Sequence, residues 1–115
     1  MKTVREIIFY GNHFEAFYHA QNRKVKDKID EVLFMITIIE RVPSKFLQHL
    51  AGTDGLYEIR IGLGSNIFRV FCCFDEGYLV VLFNGFQKKS QKTPANELER
   101  AERLKEEYFK EKNHG

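Results

Sequence analysis

Five basic side chains at three places along the chain have the types and spacing to hold an anion between them. Arg60 stands in "YEIRIG" and Arg69 in "NIFRVF". Lys88, Lys89 and Lys92 follow a hydrophobic run in "GFQKKSQKTP", where no acid appears until Glu97. An arginine on a strand ordinarily marks the solvent side of a half-covered sheet, and lysines beyond a strand ordinarily keep a sheet edge soluble. Brought close together, the same groups repel one another and lower lysine pKa values, a cost that a bound phosphate relieves. Guanidinium forks match phosphate oxygens and keep their proton, whereas a lysine amine can give one up. The chemistry these residues suit is therefore the gripping of phosphate, with proton transfer open to the lysines.

Whether the arginines meet depends on strand register, because a slip of one residue moves a strand's side chains to the other face. With Leu63-Gly64 as a two-residue hairpin loop, Gly62 pairs with Ser65 and Arg60 lies opposite Ile67. Arg69 is then the diagonal neighbour of Arg60, roughly 7–8 Å away on the same face. A three-residue loop would point the two apart. Gly64 suits the positive φ of a tight primed turn, which favours the first register. Which of Lys88 and Lys89 joins them is left to the Asp75-Glu76-Gly77 turn, and a doublet ensures that one does.

The elements around these residues are readable in outline. "REIIFY" (Arg5 to Tyr10), closed by Gly11, has strand composition. Phe14, Phe17 and Tyr18, then Val25, Ile29, Val32, Leu33 and Ile36, fall at helical spacing. Two helices bent around Asn22 thus occupy about residues 12 to 41, with Pro43 as their stop. "SKFLQHL" allows one more helical turn before the turn cluster "AGTDG". Three strands follow, "LYEIRIG", "SNIFRVFCCF" and "GYLVVLFNGF", joined by connections so short that they must be antiparallel hairpins. Thr93-Pro94 reads as an N-cap and first helical residue. Ala95, Leu98, Ala101 and Tyr108 make the seam of the last helix, flanked by Leu104. The order is β-α-α-β-β-β-α, a single α+β domain over residues 1–115.

Bulk properties remove several classes. At 115 residues the chain can bury a core without metal or disulfide. Its net charge of +2 means that affinity for nucleic acid must come from how charge is distributed. No run approaches a membrane span and no signal peptide is evident. Cys72 and Cys73 are adjacent in a strand and point to opposite faces, so they read as buried thiols of a reduced, cytoplasmic protein. His13, His19, His49 and His114 lack metal-ligand spacing, and no nucleophile elbow, P-loop or dinucleotide fingerprint occurs. Neither a metal nor a cofactor is expected.

The second half of the chain, "LAGTDGLYEIRIGLGSNIFRVFCCFDEGYLVVLFNGFQKKSQKTPANELERAERLKEEY", resembles the RelE/ParE toxin superfamily, in particular its phage-derived HigB-like branch. The turn "GTDGLYEIR", the arginine of "FRVF", the "GFQKKSQKTP" exit and the "ELERAERL" helix carry the likeness. The resemblance implies a short antiparallel sheet with helices on one face. It also implies the toxin of a type II toxin–antitoxin pair, held by a helix-turn-helix antitoxin, that cuts mRNA on the ribosome; the lack of metal-ligand spacing makes that cleavage metal-independent. Carried over by position, the implied catalytic residues are Arg60, Arg69, Lys88 and Lys89, with Gln91 and Lys92 as RNA-binding neighbours. Some relatives use histidine or tyrosine near the C-terminus for proton transfer, and only Tyr108 and His114 stand there in this chain. Two other activities fit the same resemblance: inhibition of DNA gyrase, as by ParE-like members, and RNA binding without catalysis.

Overall fold

Asn22 divides the helical stretch by capping. The computed structural model, which describes residues 2–114, places α1 at His13–His19 and α2 at Arg23–Ile38. The Asn22 side chain accepts a hydrogen bond from Val25 N at 3.0 Å, satisfying one of the donors that a helix start leaves open. The far end of α2 is closed by a distant residue. Arg5 donates to the carbonyls of Ile36, Ile39 and Glu40 at 3.1, 2.6 and 2.6 Å, so the helix ends at Ile38, well before Pro43.

Around these lie β1 (Glu6–Phe9), β2 (Leu47–His49), β3 (Tyr57–Leu63), β4 (Asn66–Asp75), β5 (Leu79–Lys88) and α3 (Ala95–His114). The five strands form one sheet in the order β1-β5-β4-β3-β2. The expected meander is present as β3, β4 and β5. Three expectations need correction. The sheet is mixed, because β1 runs parallel to β5. "SKFLQHL" supplies the short edge strand β2 instead of a helical turn, because Leu47 to His49 find backbone partners in Ile59 to Tyr57. Helices cover both faces. α1 and α2 bury Phe14, Val25, Ile29, Val32 and Ile36 against Ile59, Ile61, Val70, Cys72 and Leu82. On the other face α3 buries Ala101 and Leu104 against Leu56, Phe71, Cys73, Val81 and Phe83, so Leu104 is central to its seam. Cys72 and Cys73 fall in opposite layers, and burial pushes the Cys73 thiol up to about 11.

One irregularity sets how the sheet ends. Cys72 pairs with Leu82 but Val70 with Gly85, so β5 carries one residue more than β4 across this step. Such a bulge reverses the facing of every later residue on its strand. It is pinned from both sides. Asn84, 1% exposed, donates Nδ2 to Glu97 O and Oε1 of α3, both at 3.0 Å. Gly85 meets Phe17 of α1 so closely that a Cβ there would lie 2.5 Å from the ring.

The opposite end of α3 is tied to the sheet through Asp75. Tyr108 Oη donates to Asp75 Oδ2 at 2.7 Å, and Lys112 Nζ approaches both carboxylate oxygens at 2.7 and 2.8 Å. The bonds from Lys112 and then Tyr108 hold the Asp75 carboxyl below its ordinary value of 3.8. A depressed carboxylate stabilises the fold above its unfolded pKa and loses that contribution as pH falls through the folded one. Asp75→Asn is therefore expected to lower stability by about 1–3 kcal/mol at neutral pH. The gap to the parent should close as pH drops below about 3.8. Urea midpoints of both chains across an acid series check this, and a gap that persists in acid would contradict it.

Candidate anion-binding groove

The hairpin between β3 and β4 turns at Gly64 and Ser65, since Leu63 pairs with Asn66 and Gly64 has φ +60°. The expected loop was one residue earlier, so the register differs: Arg60 lies directly opposite Arg69 instead of diagonal to it. Both loops contain two residues, which preserves the parity, and the arginines share a face in either case. That face is the α3 side, beyond the reach of α3 itself.

Lys88 joins them through the bulge. Below it, Arg69 pairs with Phe86 and Ile67 with Lys88, so Phe86 and Lys88 alternate onto the arginine face. Without the extra residue Lys88 would point to the α1–α2 side. The turn at Asp75 sets the register of β5, and the bulge then shifts it so that Lys88 is the lysine of the doublet facing inward. Arg60, Arg69, Lys88, Lys89 and Gln91, with Ile67 and Gln87, line one open groove of about 700 Å³. Among the described residues no helix and no acid lines it. Lys92 is exposed and lies outside the lining.

Glu58 was not anticipated, and it organises the arginines. It is 7% exposed and presents Oε2 to Nε of Arg60 at 3.3 Å and to Nε of Arg69 at 3.5 Å. Its signal was available, because alternation in Glu58-Ile59-Arg60 puts the two charges on one side of the strand. Arg60 also donates Nη1 to Gln48 Oε1 at 2.8 Å, and Arg69 Nη1 to Phe68 O at 3.0 Å. Among the described residues neither Nη2 has a hydrogen-bond partner, and the buried Nε of Arg69 is close to Glu58 without being aligned for a bond. Burial lowers the pKa of Arg69 and the charge of Arg60 adds to this, while Glu58 opposes both. The arrangement is two cations, one carboxylate and unmet donors, next to two more cations.

The other proton-transfer candidates are elsewhere. Tyr108 is bound to Asp75, six residues along β4 from Arg69, or roughly 20 Å at ~3.3 Å per residue. Desolvation and the Asp75 hydrogen bond raise its pKa to about 12. His114 is exposed at the end of α3, and His49 stacks edge-on against Tyr57 from β2 instead of sitting on a helix. Among the described residues no three His, Cys, Asp or Glu converge as metal ligands. None of their helices is long and apolar enough to cross a membrane.

Comparison with known proteins agrees with this architecture. A sequence profile of the family described as "Phage derived protein Gp49-like (DUF891)" matches residues 12–106, and the chain belongs to that family. Among solved structures, the archaeal RelE-RelB complex from Pyrococcus horikoshii OT3 contains a chain with 17% identity and a TM-score of 0.54. The match covers 78% of this chain and 99% of that one. The fold is therefore RelE-like. No curated protein sequence matches the chain.

Removing the Glu58 charge exposes the arginines' repulsion. Glu58→Gln should cost on the order of 1–3 kcal/mol. Added phosphate should raise its melting temperature more than that of the parent, because the anion replaces the lost counter-charge. Thermal melts in phosphate and in chloride of equal ionic strength measure this. Equal shifts for the two chains would mean that the groove does not hold phosphate at the arginines.

Proposed function

We propose that the protein is the toxin of a toxin–antitoxin pair and a metal-independent endoribonuclease that cuts mRNA on the ribosome. The observation that carries this reading is the groove in which Arg60, Arg69, Lys88 and Lys89 meet with no acid in its lining among the described residues. RNA brings its own nucleophile. The 2′-oxygen attacks the adjacent phosphorus, the bond to the 5′-oxygen breaks, and the products are a 2′,3′-cyclic phosphate and a 5′-hydroxyl. Charge grows on the non-bridging oxygens during this exchange. Arg60 and Arg69, held from their Nε sides by Glu58, offer their remaining donors to those oxygens. One amine of Lys88 and Lys89 takes the proton of the 2′-hydroxyl, and the other protonates the departing 5′-oxygen or stabilises charge. Gln91 and Lys92 contact the strand nearby. An open groove without walls leaves substrate positioning to the ribosome. The similarity to a RelE chain solved in complex with RelB supports a second reading that accompanies the first: an antitoxin chain, of helix-turn-helix type, covers these cations.

Charge-preserving variants separate cutting from gripping. Arg69→Lys keeps the charge without the planar fork, and the Lys88→Arg, Lys89→Arg double variant keeps both charges while withholding a transferable proton. Affinity for RNA should change little, since phosphate binding mainly counts charges. The single-turnover rate should fall on the order of 10²–10⁴-fold in the double variant. Small, parallel losses in rate and affinity would assign the site to RNA binding alone. Cleavage should also continue in excess EDTA, and rescue of an EDTA-silenced reaction by Mg²⁺ would overturn the metal-independent route.

A further inference from the structure

The outer edge of β3 holds a second cationic groove that the scheme above leaves unused. β2 pairs with β3 only as far as Ile59, and one further bond, Arg60 N to Phe46 O at 2.8 Å, ends the contact. From there the backbone around Gly62 is exposed, and a Cβ on Gly62 would meet nothing within 4 Å. Lys28 of α2 and Lys45 of the segment before β2 approach this edge. With Phe46, Gly62, Ile67 and the two arginines they line a cavity of about 440 Å³. Arg60, Ile67 and Arg69 belong to both grooves, so the two openings meet at the arginine pair.

Three features of this junction suit a nucleic acid strand. The cations fall in successive pairs, Lys88 with Lys89, Arg60 with Arg69, and Lys28 with Lys45, and among the described residues no acid lines either groove. The lysines of the outer pair are weakly engaged. Lys28 has an exposed partner in Glu31 at 3.4 Å, and Lys45 sits 5.4 Å over the Phe46 ring. Ile67, an apolar side chain 41% exposed, lines both grooves beside the arginine pair, where a phosphate alone has no use for it but a nucleoside does.

We propose that Lys28 and Lys45 bind the phosphate next to the one held by Arg60 and Arg69, on the same single RNA strand, with the intervening nucleoside over Ile67. The inference rests on the RNA-cleavage reading and deepens it. The protein then recognises at least two consecutive phosphates, and the added one lies on one side of the cut only.

Binding of short RNAs carrying a 2′-deoxy residue at the cut, so that they stay intact, tests this. A dinucleotide with one phosphate is compared with trinucleotides extended by one phosphate at the 5′ or 3′ side. The proteins are the parent and the Lys28→Gln, Lys45→Gln variant, which alters two surface side chains. One extension should tighten binding to the parent and steepen its salt dependence. The variant should lose that gain about fivefold, with a slope shallower by about 0.7, while its dinucleotide affinity is unchanged. Equal weakening for both lengths, or for neither, would overturn the inference while leaving the arginine groove intact. An acidic peptide that competes with the extension but not with the dinucleotide would reassign the edge to a protein partner. Failure of the parent to bind any of the RNAs would overturn this inference and leave the cleavage reading to the reaction on ribosome-bound mRNA.

Discussion

Two guanidinium groups face each other across adjacent strands, and a single carboxylate stands between them. Arg60 and Arg69 are cross-strand partners, and Glu58 reaches the Nε of each within 3.5 Å. Like charges directly opposite on a sheet destabilise it, and burying a charge costs more unless it is paired. Glu58 offsets one positive charge of the two. The remaining charge, with Nη2 of each arginine lacking a partner among the described residues, makes the junction electrostatically incomplete in the free protein. On the proposed reading, a phosphate completes it. Such a junction survives only in a fold with strength elsewhere, and here that strength comes from two apolar layers and from the Asp75 tie at the opposite end of α3.

The bulge on β5 brings a further cation to that junction. It makes Phe83 and Phe86 face α3 together, and it rotates Lys88 onto the arginine side. Its two anchors act in different ways. Asn84 ties it to the first turn of α3 by hydrogen bonds, whereas Gly85 admits the ring of Phe17 by having no side chain. Both helical layers thereby fix the strand exit that carries Lys88 and Lys89, even though neither layer lines the groove. An exposed doublet at the end of an unanchored strand would sample many positions. Here its first residue is held in a ladder, opposite Ile67.

The parts of this arrangement that depend on local pattern are readable in the sequence. Helical spacing from Phe14 to Ile36, the break at Asn22 and the three-strand meander need only neighbouring residues. The facing of Arg60 and Arg69 is readable too, because it depends on parity, and the loop kept two residues when it moved to Gly64-Ser65. What required the folded chain is long-range. β2 forms because β3 offers an edge to Leu47, Gln48 and His49. The parallel pairing of β1 with β5 follows from a crossover through two helices, which no hairpin rule reaches. The bulge leaves only the faint trace Asn84-Gly85 in the sequence, so the identity of the inward lysine depended on contacts with Phe17 and Glu97. Glu58 was visible by alternation with Arg60 but not by composition, since one acid in a strand has no pattern of its own.

In the proposed reaction, the route from this geometry to a cut strand passes through one atom, the 2′-oxygen of the substrate. The measurement closest to the claim is single-turnover reaction of purified protein with ribosome-bound mRNA in two forms. One form is natural, and the other is 2′-deoxy at the cleaved position only. The account predicts that the natural strand yields a 2′,3′-cyclic phosphate and a 5′-hydroxyl end, and that the deoxy strand binds equally well and stays whole. Cleavage of both strands, or products bearing a 5′-phosphate, would contradict it.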